Sequence, residues 1–301
     1  MRHYSLMNGF YAILTLGDDD MTLSQLKSRF SSIEKIKVGG QKIVYKAITP
    51  EGEIVALKVI GNATDSRVLQ EISIVKKLRL SCIPQIIESG IVKDEEIDED
   101  VLYIIEQYIF GQSLRDWINA PNTADLKFAY ILLNALLSAE LILEEYHILH
   151  RDINPNNIIL GSDKTIYLID FGLAKIIGEA SLTHTSAVYG PFTPGYAPHE
   201  QFANMKLLQD VRTDLFQIGI TVYECCTGKN PFVMPNETLY QILSRTLAIT
   251  PPPLNLSGDT KGQFSQFISM LMAKNQSQRP DTAADAVRYL KAITATLEME
   301  G

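Results

Sequence analysis

Residues 149–172 contain the run His150-Arg151-Asp152-Ile153-Asn154-Pro155-Asn156-Asn157, a short apolar stretch, and then Asp170-Phe171-Gly172. Asp152 and Asn157 stand five residues apart, so one tight loop can aim the first at a substrate hydroxyl and the second at a metal held by Asp170. A carboxylate that accepts a hydroxyl proton, set beside oxygen ligands for a hard cation, is the constellation phosphoryl transfer requires. An Asp-Phe-Gly triplet alone arises often by chance. The signal lies in the loop, its spacing to Asp170 and the punctuation further on.

Upstream, Val55-Ala56-Leu57-Lys58-Val59 reads as a strand with a lysine among apolar neighbours. Thirteen residues later Glu71 falls on the apolar face of a helical stretch marked by Val68, Ile72 and Val75. A carboxylate there wants a cation, and pairing with Lys58 would aim the ammonium at ATP phosphates. Lys58 has a plainer reading too, as a strand lysine that snorkels to the rim of its sheet.

Two lobes can be read from the pattern around these residues. Residues 33–60 alternate apolar and polar positions and break at Gly39-Gly40 and Pro50-Glu51-Gly52, which predicts three strands. Strands over 85–91 and 101–107 flank an acidic stretch, 93–100, expected to be a solvated hairpin loop and nothing more. With the helix around Glu71 they form a small lobe that ends near Tyr108. After Phe110-Gly111 the pattern turns helical, with helices predicted over 113–118, 124–146, 210–227, 263–273 and 282–297. The expected fold is therefore α+β and two-lobed: a small lobe over 31–109, a mainly helical lobe over 110–297, and a tail over 298–301. Residues 1–30 stay without a role, as a strap along the small lobe or a disordered tail.

Bulk properties narrow the partners. The 301 residues are 46% hydrophobic, enough for a sizeable core. A formal net charge of -8 and a pI near 5.2 exclude a protein built to grip nucleic acid, which needs a basic field. Local positive groups must hold any anionic ligand. Three cysteines, Cys82, Cys225 and Cys226, give no disulfide framework, so a reducing, cytoplasmic setting is expected. The apolar run 10–16 is too short to span a bilayer, and 129–143 is broken by Asn134, Ser138 and Glu140, so it reads as a buried helix and no membrane span is expected.

The chain resembles the protein kinase superfamily, in particular its bacterial-type Ser/Thr kinases, over about residues 30–297. The resemblance implies a protein kinase fold, and a small lobe of five antiparallel strands plus one helix. It implies Lys58 and Glu71 as the phosphate-positioning pair, Asp152 as the catalytic base, and Asn157 and Asp170 as metal ligands. Arg151 resembles the arginine that receives a phosphorylated activation loop. Thr193-Pro194-Gly195-Tyr196-Ala197-Pro198-His199-Glu200 resembles the segment where the family keeps a Thr near the base and a Glu paired to a distant Arg, here Arg279. Asp214 is similar to the helix aspartate that fixes the catalytic loop.

The nucleotide site implied by the resemblance comprises Lys37, Val38, Gly39, Gly40, Val44, Ala56, Lys58, Glu71 and Asn157, with Glu106 at the gate behind adenine and the backbone of Gln107 and Ile109 reading its edge. ATP with Mg2+, or Mn2+ in its place, is the implied cofactor set. The implied partners are a protein bearing Ser or Thr and a separate regulatory protein. Self-phosphorylation is implied in the 172–193 loop, at Ser181, Thr183, Thr185, Ser186 or Tyr189.

Two departures point to a slow enzyme. The glycine positions of the phosphate-covering loop fall on Lys37, Gly39 and Lys42, so side chains crowd a backbone that should approach phosphates closely. Asn154 stands where the Ser/Thr enzymes usually carry a lysine, giving an amide donor to the transferring phosphate but no charge. Two other functions stay open: a nucleotide-binding scaffold with vestigial catalysis, and a small-molecule kinase. Against the latter, residues 193–200 and Arg279 resemble the family's peptide-docking platform. The Glu200–Arg279 pair is expected to be an exposed ion pair of little energetic weight. Asp214 is expected to be a buried acceptor, and His150 a packed histidine.

Overall fold

The computed structural model describes residues 21–38, 42–61, 75–76, 78, 80–120, 122–171, 174–176 and 192–299. Two compact units divide between Phe110 and Gly111.

In the first unit, β1 (Ser32–Val38), β2 (Lys42–Ile48), β3 (Ile54–Ile60), β4 (Ile86–Asp94) and β5 (Glu99–Gln107) form an antiparallel sheet in the order β1-β2-β3-β5-β4. Gly52, at φ 89°, closes the turn between β2 and β3, a backbone conformation that a side chain would strain. Because strand side chains alternate, β3 serves two faces. Val55, Leu57 and Val59 join Tyr45, Val92, Val101, Tyr103 and Ile105 in one core cluster. Ala56, Lys58 and Ile60 point the other way.

Helix α1 (Leu23–Ser28) covers the first of these faces, so residues 21–30 belong to the small lobe. Thr22 and Gln25 form a reciprocal capping box at its start, and Leu23 and Leu26 bury themselves in the sheet core. Arg29 then grips Glu88 through two bonds of 2.7 Å, and the Tyr103 hydroxyl donates to the same carboxylate. The acidic connection is more than a solvated loop. Strand β4 runs on to Asp94, β5 starts at Glu99, and Glu95 accepts from the Ser24 N–H and hydroxyl at 3.3 and 3.2 Å, tying the hairpin to α1. The helix expected around Glu71 lies outside the described residues, apart from a helical remnant at Val75 and Lys76.

The second unit contains β6 (Gly111–Ser113), α2 (Leu114–Asn119), α3 (Leu126–Glu145), β7 (Ile148–Leu149), β8 (Ile158–Gly161), β9 (Ile166–Leu168) and β10 (Lys175–Ile176). It continues with α4 (His199–Phe202), α5 (Val211–Thr227), α6 (Leu239–Ala248), α7 (Gln263–Leu271) and α8 (Ala283–Thr294). Helix α5 is its axis, buried along almost its whole length and packed against α3, α7 and α8. Gly219 allows this, since a Cβ there would lie 2.8 Å from that of Leu271. Gly228, at φ 71°, ends the helix in a left-handed cap. Helix α3 is long and apolar enough to cross a membrane, but half of that stretch is buried against this unit's own helices. Helix α6 falls in a stretch where periodicity predicted no element. Only Leu243 and Thr246 are buried on it, yet Thr238 and Gln241 spell a capping box at its start.

Candidate active site

Strand register assembles the first group of site residues. Val44 lies opposite Lys58, and Ala56 lies opposite Glu106, so all four side chains share the sheet face that α1 leaves uncovered. Lys58 and Glu106 pair at 2.7 Å, their side chains only 8% and 11% exposed. The residue expected to gate the pocket therefore also pairs with the lysine expected to position phosphates. Glu71, the partner expected for Lys58, lies outside the described residues, as do Gly39 and Gly40. Lys37 and Val38 are exposed at the end of β1, and Lys42 starts β2 at a half-buried position. Gln107 is the last residue of β5 and Ile109 lies two residues beyond it, and the Gln107 N–H is bonded to the Gln85 carbonyl.

The second group surrounds Asp152. Its carboxylate accepts from Asn154 Nδ2 at 2.9 Å, Asn157 Nδ2 at 2.7 Å and the Thr193 hydroxyl at 2.5 Å. Thr193 thus meets Asp152 across forty-one residues of sequence. Burial pushes the Asp152 pKa up to about 6; the Thr193, Asn157 and Asn154 hydrogen bonds work against that rise, and the Asp170 charge adds to it. Asn154 is held within its own loop. Its amide donates to the Asp152 carboxylate and carbonyl, its own oxygen caps the Pro155–Asn157 turn, and the residue is 2% exposed. In this conformation it orients the Asp152 carboxylate, and contact with a phosphate would require it to leave these partners.

Asp170 is partly exposed at φ 68°, and its charge acts on both Asp152 and His150. Asn157 turns its amide nitrogen toward Asp152, leaving Oδ1 without a hydrogen bond among the described residues. An amide oxygen and a carboxylate are the hard donors that Mg2+ selects, so these residues fit the ion. Among the described residues no three His, Cys, Asp or Glu groups cluster as a metal cage.

Burial holds this loop in place. Asp214 on α5 accepts the His150 and Arg151 N–H groups, both at 2.7 Å, as expected of a buried acceptor. Arg151 sits at φ 62°, a left-handed conformation that costs a non-glycine residue about 1–2 kcal/mol. His150 is fully buried against Phe171, at 4.6 Å between ring centroids. Burial lowers its pKa to about 4, so it is neutral, and Nδ1 accepts the Asp152 N–H at 3.2 Å. The Arg151 guanidinium reaches Gln209 at 3.3 Å. The five hydroxyls expected to take phosphate lie outside the described residues.

The Glu200–Arg279 pair corrects an expectation. Arg279 Nη1 meets Glu200 Oε1 at 2.5 Å with side chains 0% and 6% exposed, so the pair is a buried tether instead of a surface ion pair. Sequence reasoning missed two other features. Gln217 and Gln201 hydrogen-bond the backbone on either side of Asp152, at Ile153 and Arg151. Arg115, Glu224 and Tyr196 form a closed triad joining α2, α5 and the 193–200 segment. No short-range pattern could show either, because each joins residues far apart in sequence.

A protein-family profile described as protein kinase domain matches residues 30–289. The chain belongs to the protein kinase family. Among the relatives of this kinase domain, a probable serine/threonine-protein kinase of Clostridium acetobutylicum is 29% identical over 272 residues, covering 89% of this chain and 40% of that protein. The probable serine/threonine-protein kinase PknB of Bifidobacterium longum is 28% identical over 267 residues, covering 85% of this chain and 38% of that protein. PrkC of Bacillus subtilis is 29% identical over 195 residues, covering 64% and 29%. The similarity is thus to bacterial Ser/Thr kinases. The chain spans about two fifths of the length of the first relatives it matches.

Proposed function

We propose that this chain transfers the γ-phosphoryl group of ATP to a Ser or Thr hydroxyl of a protein. The Asp152 arrangement carries this reading: a carboxylate held by three donors, with a pKa raised toward neutrality, is suited to accept a proton at physiological pH. The acceptor hydroxyl oxygen forms a bond to the γ-phosphorus as the bond to the β-bridging oxygen breaks. The hydroxyl proton passes to Asp152, and ADP leaves. Lys58 attracts the α and β phosphates, Val44 and Ala56 give the adenine an apolar surface, and Lys37 and Lys42 add charge where glycines are missing. Asp170 and Asn157 would hold Mg2+, or Mn2+, which would neutralise phosphate charge.

Three donors fixing one carboxylate favour transfer over a scaffold that only binds nucleotide. Residues 193–200 and the buried Glu200–Arg279 tether support a polypeptide acceptor. A cytoplasmic setting, a separate regulatory protein and self-phosphorylation between 172 and 193 complete the proposal. Radiolabelled ATP with generic protein acceptors tests it, with Asp152→Asn as the control. Label should pass to Ser or Thr with the native chain and not with the variant. Thermal stabilisation by ATP and Mg2+ without any transfer would refute it in favour of a scaffold.

A further inference from the structure

Gln217 lies on the second turn of α5, fully buried and three residues beyond the Asp214 that anchors the catalytic loop. Its primary amide meets the loop on both sides of Asp152. Oε1 accepts the Ile153 N–H at 2.8 Å, and Nε2 donates to the Arg151 carbonyl at 2.9 Å. Nε2 also donates to Gln201 Oε1 at 2.8 Å, and Gln201 Nε2 donates to the same Arg151 carbonyl at 2.7 Å. One side chain therefore fixes the peptide groups before and after the base, and a second amide braces it.

We infer that Gln217 is a positioning residue for Asp152, acting as an amide clamp on its backbone; this rests on the reading of Asp152 as the base. Asp214 takes the N–H groups of His150 and Arg151, which leaves the Arg151 carbonyl and the Ile153 N–H to be matched. Both are groups of a buried or half-buried loop, and neither can be left unmatched cheaply. A primary amide is suited to the task because it offers an acceptor and two donors in one plane, so it can bind a carbonyl and an N–H together. A carboxylate lacks the donors, and an apolar side chain lacks both. Arg151 sits in the left-handed region, and its carbonyl is met by two amides, Gln201 from α4 and Gln217 from α5.

The clamp sets where the Asp152 carboxylate stands relative to the acceptor hydroxyl, and it touches no nucleotide. Its loss should lower kcat and leave KM for ATP unchanged. A misplacement of the base by about 1 Å costs on the order of a hundredfold in rate.

Gln217→Leu tests this in two ways. Hydrogen exchange over residues 150–157 should show lost protection at the Ile153 amide, with or without activity. In steady-state kinetics kcat should fall about a hundredfold with KM for ATP held within twofold. Cys225→Ala, a buried substitution on the same helix that does not touch the loop, reports what destabilisation alone does. A folded Gln217→Leu protein with native kcat, or a fall matched by Cys225→Ala, overturns the inference. Should Gln217→Leu not fold, Gln201→Leu carries the test: it removes one of the two donors to the Arg151 carbonyl and should lower kcat by roughly tenfold, and a native value overturns the clamp. If the native chain transfers no phosphate, the kinase reading fails by itself, and the exchange arm still decides the clamp.

Discussion

Replacing Arg279 by Met tests how much of this domain depends on one buried tether. Its guanidinium donates to Glu200 Oε1 at 2.5 Å, to the Arg212 carbonyl at 2.9 Å and to the Ala273 carbonyl at 2.8 Å, and it lies over the Phe216 ring at 4.7 Å. Methionine keeps much of the volume and none of these bonds. Glu200 would be left buried, with only a long 3.5 Å contact from the Thr213 hydroxyl among the described residues. Breaking a buried pair from one side costs about 3–5 kcal/mol, against roughly 0–1 kcal/mol for a surface pair. At about 2–4 °C per kcal/mol, the melting temperature should fall by roughly 10 °C. Urea denaturation gives the free energy and differential scanning fluorimetry the midpoint. Adding Glu200→Gln removes the stranded charge, so the double variant should recover part of the loss, with a coupling of about 1–3 kcal/mol. A loss below about 1 kcal/mol, or one abolished by about 1 M salt, would refute the argument, because only an exposed pair is screened in that way.

Glu140 on α3 is buried with neither carboxylate oxygen hydrogen-bonded among the described residues, and burial, with Asp214 and Glu144 nearby, raises its pKa well above the usual range. The native state keeps this proton while the unfolded chain releases it near pH 4.3, so the group removes stability as pH climbs from there toward the folded value. Glu140→Leu should therefore stabilise the domain at neutral pH by about 1–3 kcal/mol and flatten that pH dependence in denaturant titrations; an unchanged midpoint would count against it. Asp152 must be ionised to accept a proton, so kcat/KM should rise as pH climbs through about 6. Thr193→Val removes a hydrogen bond that holds this pKa down and should move the limb to higher pH, whereas a limb that stays put would exclude Asp152 as its source. Glu106→Gln takes a negative charge away from Lys58 and should lower the Kd for ATP by about fivefold, equivalent to roughly 1 kcal/mol, as read by calorimetry; weaker binding would show that Glu106 serves mainly to position the lysine.

The sequence determined what depends on nearby residues. Strand alternation put Val44, Ala56, Lys58 and Glu106 on one face once the register of β2, β3 and β5 was set, and the run from His150 to Asn157 brought Asp152 and the asparagines that hydrogen-bond it into one short loop. Tertiary structure decided the partners. Thr193 reaches Asp152, Gln217 reaches Arg151 and Ile153, and Arg279 reaches Glu200 only because the chain folds back around α5, and no local periodicity encodes such distances. Burial was decided there as well, since an Arg and a Glu far apart in sequence read the same whether their pair is buried or in water. The physical reason is range: backbone preference and hydrophobic period act over a few residues, while desolvation and hydrogen-bond satisfaction depend on whatever packs alongside.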